Sequence, residues 1–352
     1  MISSFSDKRI PIVFSADQGY VPYLAVALQS LAEHVSEDWS YDILIMDGGI
    51  KDDSKSRLRE IVENKPQCRL RYLDISEQRK ELDRLFVDRH LSSATYYRLI
   101  LPGLLPEYEK ILYLDCDLLV MGDPADVFQY DIEGYLVAGV KEIATFWIDP
   151  TWHQTWYLSM KYQGVEDPLN SFNAGVLLMN LKAFRNERIE LRLLALAGDN
   201  SFEQHDQDVL NIACEDRWLA LPGEWNYQYH QCEPYEFPES VACREQAVMA
   251  EPPVYRIVHY IRDQKPWSHP EKPLAPLWWD YARRNGFYRE LRSSAPGIFS
   301  LVLKMVKHCV ACVLYECAAF VAPSTVKVRL MRRVQRLRAA SCSLRTVLKG
   351  WR

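Results

Sequence analysis

The sequence predicts an α/β fold: a mostly parallel, Rossmann-like sheet flanked by helices, followed by a helical, basic C-terminal tail. Three observations lead there. Short β-rich runs alternate with helically patterned segments through the first half of the chain, and strands that alternate with helices build parallel sheets covered on both faces. One apolar run, Lys110 to Val120, is interrupted by two carboxylates, Asp115 and Asp117. Charge is also unevenly spread. Residues 296–352 hold eleven Lys/Arg against one acid, Glu316, so the tail carries +10 and the rest of this −5 chain carries −15.

The elements follow in order. Arg9 to Ala16 reads as a strand, with Ile10, Ile12, Val13 and Phe14 as its apolar residues. Val21 to His34 has helical spacing at Leu24, Leu28 and Leu31. Tyr41 to Met46 is a second strand, and Asp52, Asp53 and Ser54 offer N-cap chemistry to a helix through Val62. Arg69 to Leu73 is a third strand, and Ser93 to Leu101 a helix ending at Pro102-Gly103. Next comes the Asp115 strand, then a strand over Tyr135 to Val140. Thr145 to Tyr162 is rich in aromatics (Phe146, Trp147, Trp152, Trp156, Tyr157), which read as core before they read as a sugar platform. Phe172 to Asn180 is a buried strand with a polar entry. Leu181 to Ala197 and Asp206 to Cys214 are helices, and Val254 to Ile261 is the last strand.

Two domains are expected, a catalytic-sized body over 1–295 and a tail over 296–352. Ile298 to Val321 is apolar but contains Lys304, Lys307, His308 and Glu316, more charge than a membrane span tolerates. It reads as an amphipathic helix lying on an anionic membrane surface, its polar side formed by Lys304, Lys307 and His308. The alternative is a helix packed on the body. No nucleic-acid module is visible, and no nucleic-acid partner is expected. Met1 to Asp17 lacks the apolar core of a secretory signal, and nine scattered cysteines fit reduced thiols. A cytoplasmic protein attached peripherally to the inner face of the membrane is the resulting expectation.

Two unpaired charges do not belong inside a sheet, because each costs several kcal/mol when buried. Asp115 and Asp117 are therefore expected where a strand leaves the sheet, on one face and about 6.6 Å apart. Ligands of such sheets sit beyond the carboxyl ends of the strands, where Asp17 would join them. Oxygen ligands suit Mg²⁺ or Mn²⁺, and such a cation could hold a nucleotide diphosphate. A strand cap and a turn before Gly122-Asp123-Pro124 is the competing reading.

Five motifs occur in order: Ser15-Ala16-Asp17, Asp115-Cys116-Asp117, Phe172-Asn173-Ala174-Gly175-Val176, His205-Asp206-Gln207-Asp208, and His259-Tyr260 followed by Lys265-Pro266-Trp267. Together they resemble the retaining glycosyltransferases of family 8, in particular bacterial lipopolysaccharide and lipooligosaccharide galactosyl- and glucosyltransferases, over Ile10 to Trp267. The resemblance implies a GT-A fold, UDP-galactose or UDP-glucose as donor, and Mn²⁺ (or Mg²⁺) held by Asp115, Asp117 and His259. It places Asp17, Gly19 and Tyr20 at the uracil, Lys265 at the diphosphate and Arg98 toward the donor. Asn173, Asp206 and Gln207 would surround the transferred sugar, with Gln207 nearest the anomeric carbon. For Asp206 and Gln207, helix capping is the alternative; for Arg98, a surface ion pair. Two positions depart from the pattern. Glu142 stands where Asp is usual, within reach of a donor or acceptor hydroxyl, and Arg262 with Asp263 replaces small residues before Lys265. The implied reaction moves a hexose, with retention, to a hydroxyl of a lipid-linked cell-surface glycan such as lipopolysaccharide core. A glucosyltransferase acting on a protein or soluble primer, and a decayed nucleotide- or glycan-binding protein, are the alternatives.

Overall fold

The computed structural model describes residues 9–85, 92–143, 150–198, 202–229, 255–262, 265–321 and 324–350. Contacts divide the chain into two compact units. One comprises Met1–Gln228 with Cys232–His259, the other Tyr229–Gln231 with Tyr260–Arg352. The tail boundary expected at 295/296 thus falls inside the second unit.

The first unit is built on strands β1 (Arg9–Asp17), β2 (Ser40–Gly48), β3 (Cys68–Asp74) and β4 (Ile111–Leu114). Helices α1 (Val21–His34), α2 (Asp52–Val62) and α3 (Ser76–Leu82) connect the first of these. The interior of β1 is wholly buried, as expected of a strand with helices on both faces. The N-cap of α2 is Lys51 and makes no side-chain cap bond. Asp52 and Asp53 instead lie in the first turn, where they favour the helix dipole. Ser93–Ile100 forms a 3-10 helix capped by Ser92, and the chain turns directly into α4 (Leu101–Leu104). Pro102 sits in the first turn of α4, where its missing N–H costs nothing, so it starts a helix instead of ending one.

The run around Asp115 is two strands, not one. β4 stops at Leu114, and β5 (Leu118–Val120) belongs to a different sheet. Further on come α5 (Pro124–Phe128), β6 (Val137–Lys141), α6 (Pro150–Tyr162) and β7 (Phe172–Met179). The single helix expected over Leu181 to Ala197 is α7 (Leu181–Asn186) and α8 (Ile189–Ala197), broken at Arg188, whose φ is 55°. α9 (Asp206–Ala213), β8 (Trp218–Ala220), a 3-10 turn (Gly223–Asn226), β9 (Tyr227–Tyr229) and β10 (Ile257–Tyr260) follow. Among the described residues the main sheet has seven strands in the order β3-β2-β1-β4-β7-β6-β8, of which only β7 runs against the rest. A small sheet has the order β5-β10-β9. Trp156 is buried and donates its indole N–H to Asp208 at 2.9 Å, as a core aromatic should. Phe146 and Trp147 lie outside the described residues.

The second unit contains α10 (Ala275–Arg283), α11 (Tyr288–Ser294), α12 (Ile298–Val321) and α13 (Ser324–Gly350). Trp278 and Trp279 are buried at its centre, 5.1 Å apart, and Trp279 donates to the Pro266 carbonyl. α12 is turned differently from the expectation. Lys304 faces inward and reaches Glu271 at 3.2 Å, while Phe299, Leu303, Val306, Val310, Val313 and Leu314 are exposed. Among the described residues no single helix is long and apolar enough to cross a membrane.

Glu271 makes this unit pH-dependent. Burial opposes its ionisation, but His269 at 2.9 Å and Lys304 overcome that and hold the carboxyl at about 2, against an ordinary 4.5. A lowered carboxyl contributes stability that is complete above pH 4.5 and disappears as pH falls toward 2. Glu271→Gln is therefore expected to cost roughly 2 kcal/mol at pH 7. The deficit should shrink steadily below pH 4.5 in urea titrations that compare the two proteins.

Candidate active site

The segment Asp115-Cys116-Asp117 crosses from the large sheet to the small one, and two registers aim it. Leu114 pairs with Val176, so Asp115 follows beside Gly175, whose carbonyl accepts the Asp115 N–H at 2.9 Å. On the other side His259 of β10 pairs with Leu118, which brings its imidazole next to Asp117. The ligand atoms of Asp115, Asp117 and His259 lie within 4.8 Å of one another. Nε2 of His259 is 3.1 Å from Asp117 Oδ1 and 3.8 Å from Asp115 Oδ2. Gly175 is required here: a Cβ would come within 2.1 Å of His259 Cε1 and 2.9 Å of Asp115 Oδ2. Two carboxylates and an imidazole converging on one point form a donor set that suits a divalent cation.

Arg98 lies behind this trio. It is buried, not the surface partner that was the alternative. Its guanidinium donates to Asp115 Oδ1 at 2.7 Å, lies 3.0 Å from Asp206 Oδ2, also bonds the Ala174 carbonyl, and rests on the Tyr113 ring. Burial alone would weaken its hold on the proton, but Asp115 and Asp206 reverse this and keep it charged. The Asp206 carboxyl is pushed up by burial and pulled back by Arg98 and the Thr95 hydroxyl. Capping does not account for Asp206, since the N-cap of α9 is His205, at φ 52°. Burial also lifts Asp208 to about 7, against the Trp156 indole and the Gln204 N–H.

Gln207 projects from the start of α9 toward β7. Its Oε1 accepts the Ala174 N–H at 3.0 Å, and its Nε2 donates to Glu142 at 3.0 Å and to Gln204. Glu142 is buried and also accepts from Asn173 at 2.8 Å. Asp17 uses both carboxylate oxygens: one accepts the Tyr20 N–H at 3.0 Å, the other the Ser92 hydroxyl at 2.5 Å. A Cβ at Gly19 would stand 3.2 Å from Asp17 Oδ1. Tyr20 sits close to the carboxylate pair. Burial raises its phenol, and Asp117 adds to the shift.

Eight of the expected site residues therefore come together: Asp115, Asp117, His259, Arg98, Asp206, Gln207, Asn173 and Glu142. Arg262 and Lys265 belong to the second unit, where Arg262 has φ 61° and Lys265 donates to the Tyr260 carbonyl at 2.6 Å. Asp263 lies outside the described residues. One residue in the cluster has no counterpart in the sequence reading. Asn226 is buried between His259 and Asn173, at 3.0 Å and 2.8 Å. It sits in a short turn with no motif around it, so no local signal marks it.

The family model that matches this chain is Glycosyl transferase family 8, over residues 11–270. The chain belongs to that family. General stress protein A of Bacillus subtilis (strain 168) is 28% identical over 283 residues, which cover 78% of this chain and 93% of the relative. Glycosyltransferase GlyF of Streptococcus pneumoniae is 28% identical over 285 residues, covering 78% of this chain but only 61% of GlyF. Among solved structures, the galactosyltransferase LgtC in complex with donor and acceptor sugar analogues superposes with a TM-score of 0.62 at 21% identity, covering 79% of this chain and 96% of LgtC. The bifunctional glycosyltransferase WbbM gives a TM-score of 0.69 at 20% identity, covering 84% of this chain and 53% of WbbM. The GT-A fold expected from the resemblance is thus present, and the protein is a glycosyltransferase.

Proposed function

We propose that this glycosyltransferase moves a hexose from UDP-galactose or UDP-glucose to a hydroxyl of a lipid-linked surface glycan, with retention at the anomeric carbon. One observation carries the reading: the convergence of Asp115, Asp117 and His259 beside Arg98, Asp206 and Gln207. The trio would hold Mn²⁺ or Mg²⁺, which when bound neutralises charge on the departing diphosphate. Tyr20, with Asp17 and the Gly19 backbone, takes the uracil end.

Retention could proceed by double displacement, which needs a carboxylate free to attack the sugar. Neither nearby candidate fits that role. Asp206 is buried against Arg98 and Thr95. Gln207 is an amide held at both ends by Ala174 and Glu142. A front-face route follows, in which Gln207 and Asn173 orient the sugar and the leaving phosphate helps to take the acceptor proton. A covalent hexosyl adduct trapped on Asp206 would refute it.

Incubation with Mn²⁺ and a panel of UDP-sugars tests the whole reading. Slow UDP release from UDP-galactose or UDP-glucose, lost on chelation, is expected. No UDP release with any donor, from a folded protein, would favour a decayed binding protein. Transfer to a protein or soluble primer, with none to a lipid-linked glycan, would move the acceptor to the other enzyme class.

Peripheral attachment to the inner membrane face is part of the same proposal. Its support is the exposed apolar stripe on α12 next in sequence to the basic run Lys327 to Lys349. Phe299→Glu with Val310→Glu is expected to abolish sedimentation with anionic vesicles and to leave UDP release unchanged. Retained sedimentation would remove the membrane from the proposal.

A further inference from the structure

Two backbone N–H groups of β7 can only donate, and they determine the orientation of every amide in the site. The Gly175 N–H donates to one terminal atom of the Asn173 side chain at 3.0 Å, so that atom is the oxygen, Oδ1. The other end of Asn173 is then the Nδ2 amide, which donates to Glu142 Oε2 at 2.8 Å. Asn226 approaches Asn173 Oδ1 at 2.8 Å and must do so with its own Nδ2. Its Oδ1 is thereby left facing His259 Nδ1 at 3.0 Å. A carbonyl oxygen accepts and never donates. Nδ1 of His259 therefore carries the proton, and in the neutral ring Nε2 turns a lone pair toward Asp115 and Asp117. On the other side the Ala174 N–H identifies Gln207 Oε1, and Gln207 Nε2 meets the same Glu142 oxygen at 3.0 Å.

The chain is dry. Asn226 is 1%, Glu142 2%, His259 4% and Asn173 6% exposed, so water does not compete for these bonds. Most metal-binding histidines have their tautomer set by the group on the opposite nitrogen. Here that group is the amide Asn226, whose direction is inherited through Asn173 from the Gly175 N–H.

We infer that Asn226 is a positioning residue that locks His259 in the Nδ1–H tautomer, and that Asn173 and Glu142 tie this choice to the carboxamide orientation of Gln207. The metal trio and the amide expected nearest the anomeric carbon are then one hydrogen-bonded unit. This rests on the metal reading above, but concerns the metal-free protein as much as the loaded one.

The test uses the full chain labelled with ¹⁵N-histidine at pH 8, with the His259 signals assigned by their loss in His259→Gln. Without metal, the wild type is expected to show a protonated Nδ1 and a bare Nε2. Asn226→Leu, close in size but unable to accept, should move the ring toward the Nε2–H form. It should also weaken Mn²⁺ binding, titrated by electron paramagnetic resonance without nucleotide, by about 10–100-fold. Asn226→Asp keeps the acceptor and should keep the Nδ1–H form, and if the leucine variant does not fold, the tautomer of the metal-free wild type decides the matter. Predominant Nε2–H in the metal-free wild type would overturn the inference. So would unchanged Mn²⁺ affinity in a folded Asn226→Leu when His259→Gln has lost it. If His259→Gln itself binds Mn²⁺ as the wild type does, the metal reading is what fails.

Discussion

Asp117→Asn is expected to weaken Mn²⁺ binding about 100-fold and to lower UDP release by a factor of about 10²–10³, because a positioned charge acting on the reacting phosphate is of that size. The side chain keeps its shape and loses only its charge. Asp117 lies 3.1 Å from His259 Nε2, and Asp115 also faces that nitrogen. Without a cation these acceptors repel one another. The asparagine variant should therefore melt at the same temperature as the wild type or higher when metal is absent, and should lose most of the stabilisation that Mn²⁺ confers. A residue that merely capped a strand would behave in the opposite way, with a lower melting temperature and unchanged Mn²⁺ affinity. Calorimetric scans with and without Mn²⁺, together with a UDP-release assay, separate the two.

Arg98→Met is expected to be the more destructive change, costing about 3–5 kcal/mol of folding stability. The methionine fills part of the space, so little of this is cavity. The cost arises from Asp115 and Asp206, which lose the guanidinium at 2.7 Å and 3.0 Å, and from the Ala174 carbonyl, which loses its donor. A carboxylate left uncompensated out of water must either stay costly or take up a proton. Arg98→Met should accordingly become relatively less unstable as pH falls and Asp206 protonates. Combining it with Asp206→Asn should return part of the loss, a non-additivity expected of direct partners. Arg98→Lys restores charge without the fork that spans both carboxylates, so an intermediate cost is expected. Urea denaturation of the wild type, Arg98→Met, Arg98→Lys, Asp206→Asn and the double variant at pH 5 and pH 8 measures each of these.

How much of the site is readable in the sequence depends on how local its cause is. Asp115 and Asp117 stand out because two carboxylates inside an apolar run have no structural use within a sheet. Yet the sequence suggested one strand where there are two, since Leu118 to Val120 is as apolar as Ile111 to Leu114 and only pairing partners distinguish them. The break matters: it is the change of sheet that brings His259 of β10 against Asp117. In the same way Leu181 to Ala197 keeps helical spacing across Arg188, and only the backbone at φ 55° reveals the break. On α12 the charges at Lys304 and His308 suggested a polar outer face, but Glu271, far back in the sequence, draws Lys304 inward.

The amino-acid order alone established the alternation of strands and helices, the basic C-terminal segment, and the five ordered motifs that mark a family 8 glycosyltransferase, because periodicity and motif spacing are properties of neighbours along the chain. Tertiary structure decided that Arg98 is a buried clasp and not a surface charge, that Asp206 is its partner and not a helix cap, and that Asn226 belongs to the site at all. These depend on which distant groups meet in a dry interior, where one backbone N–H can determine the direction of a whole row of amides.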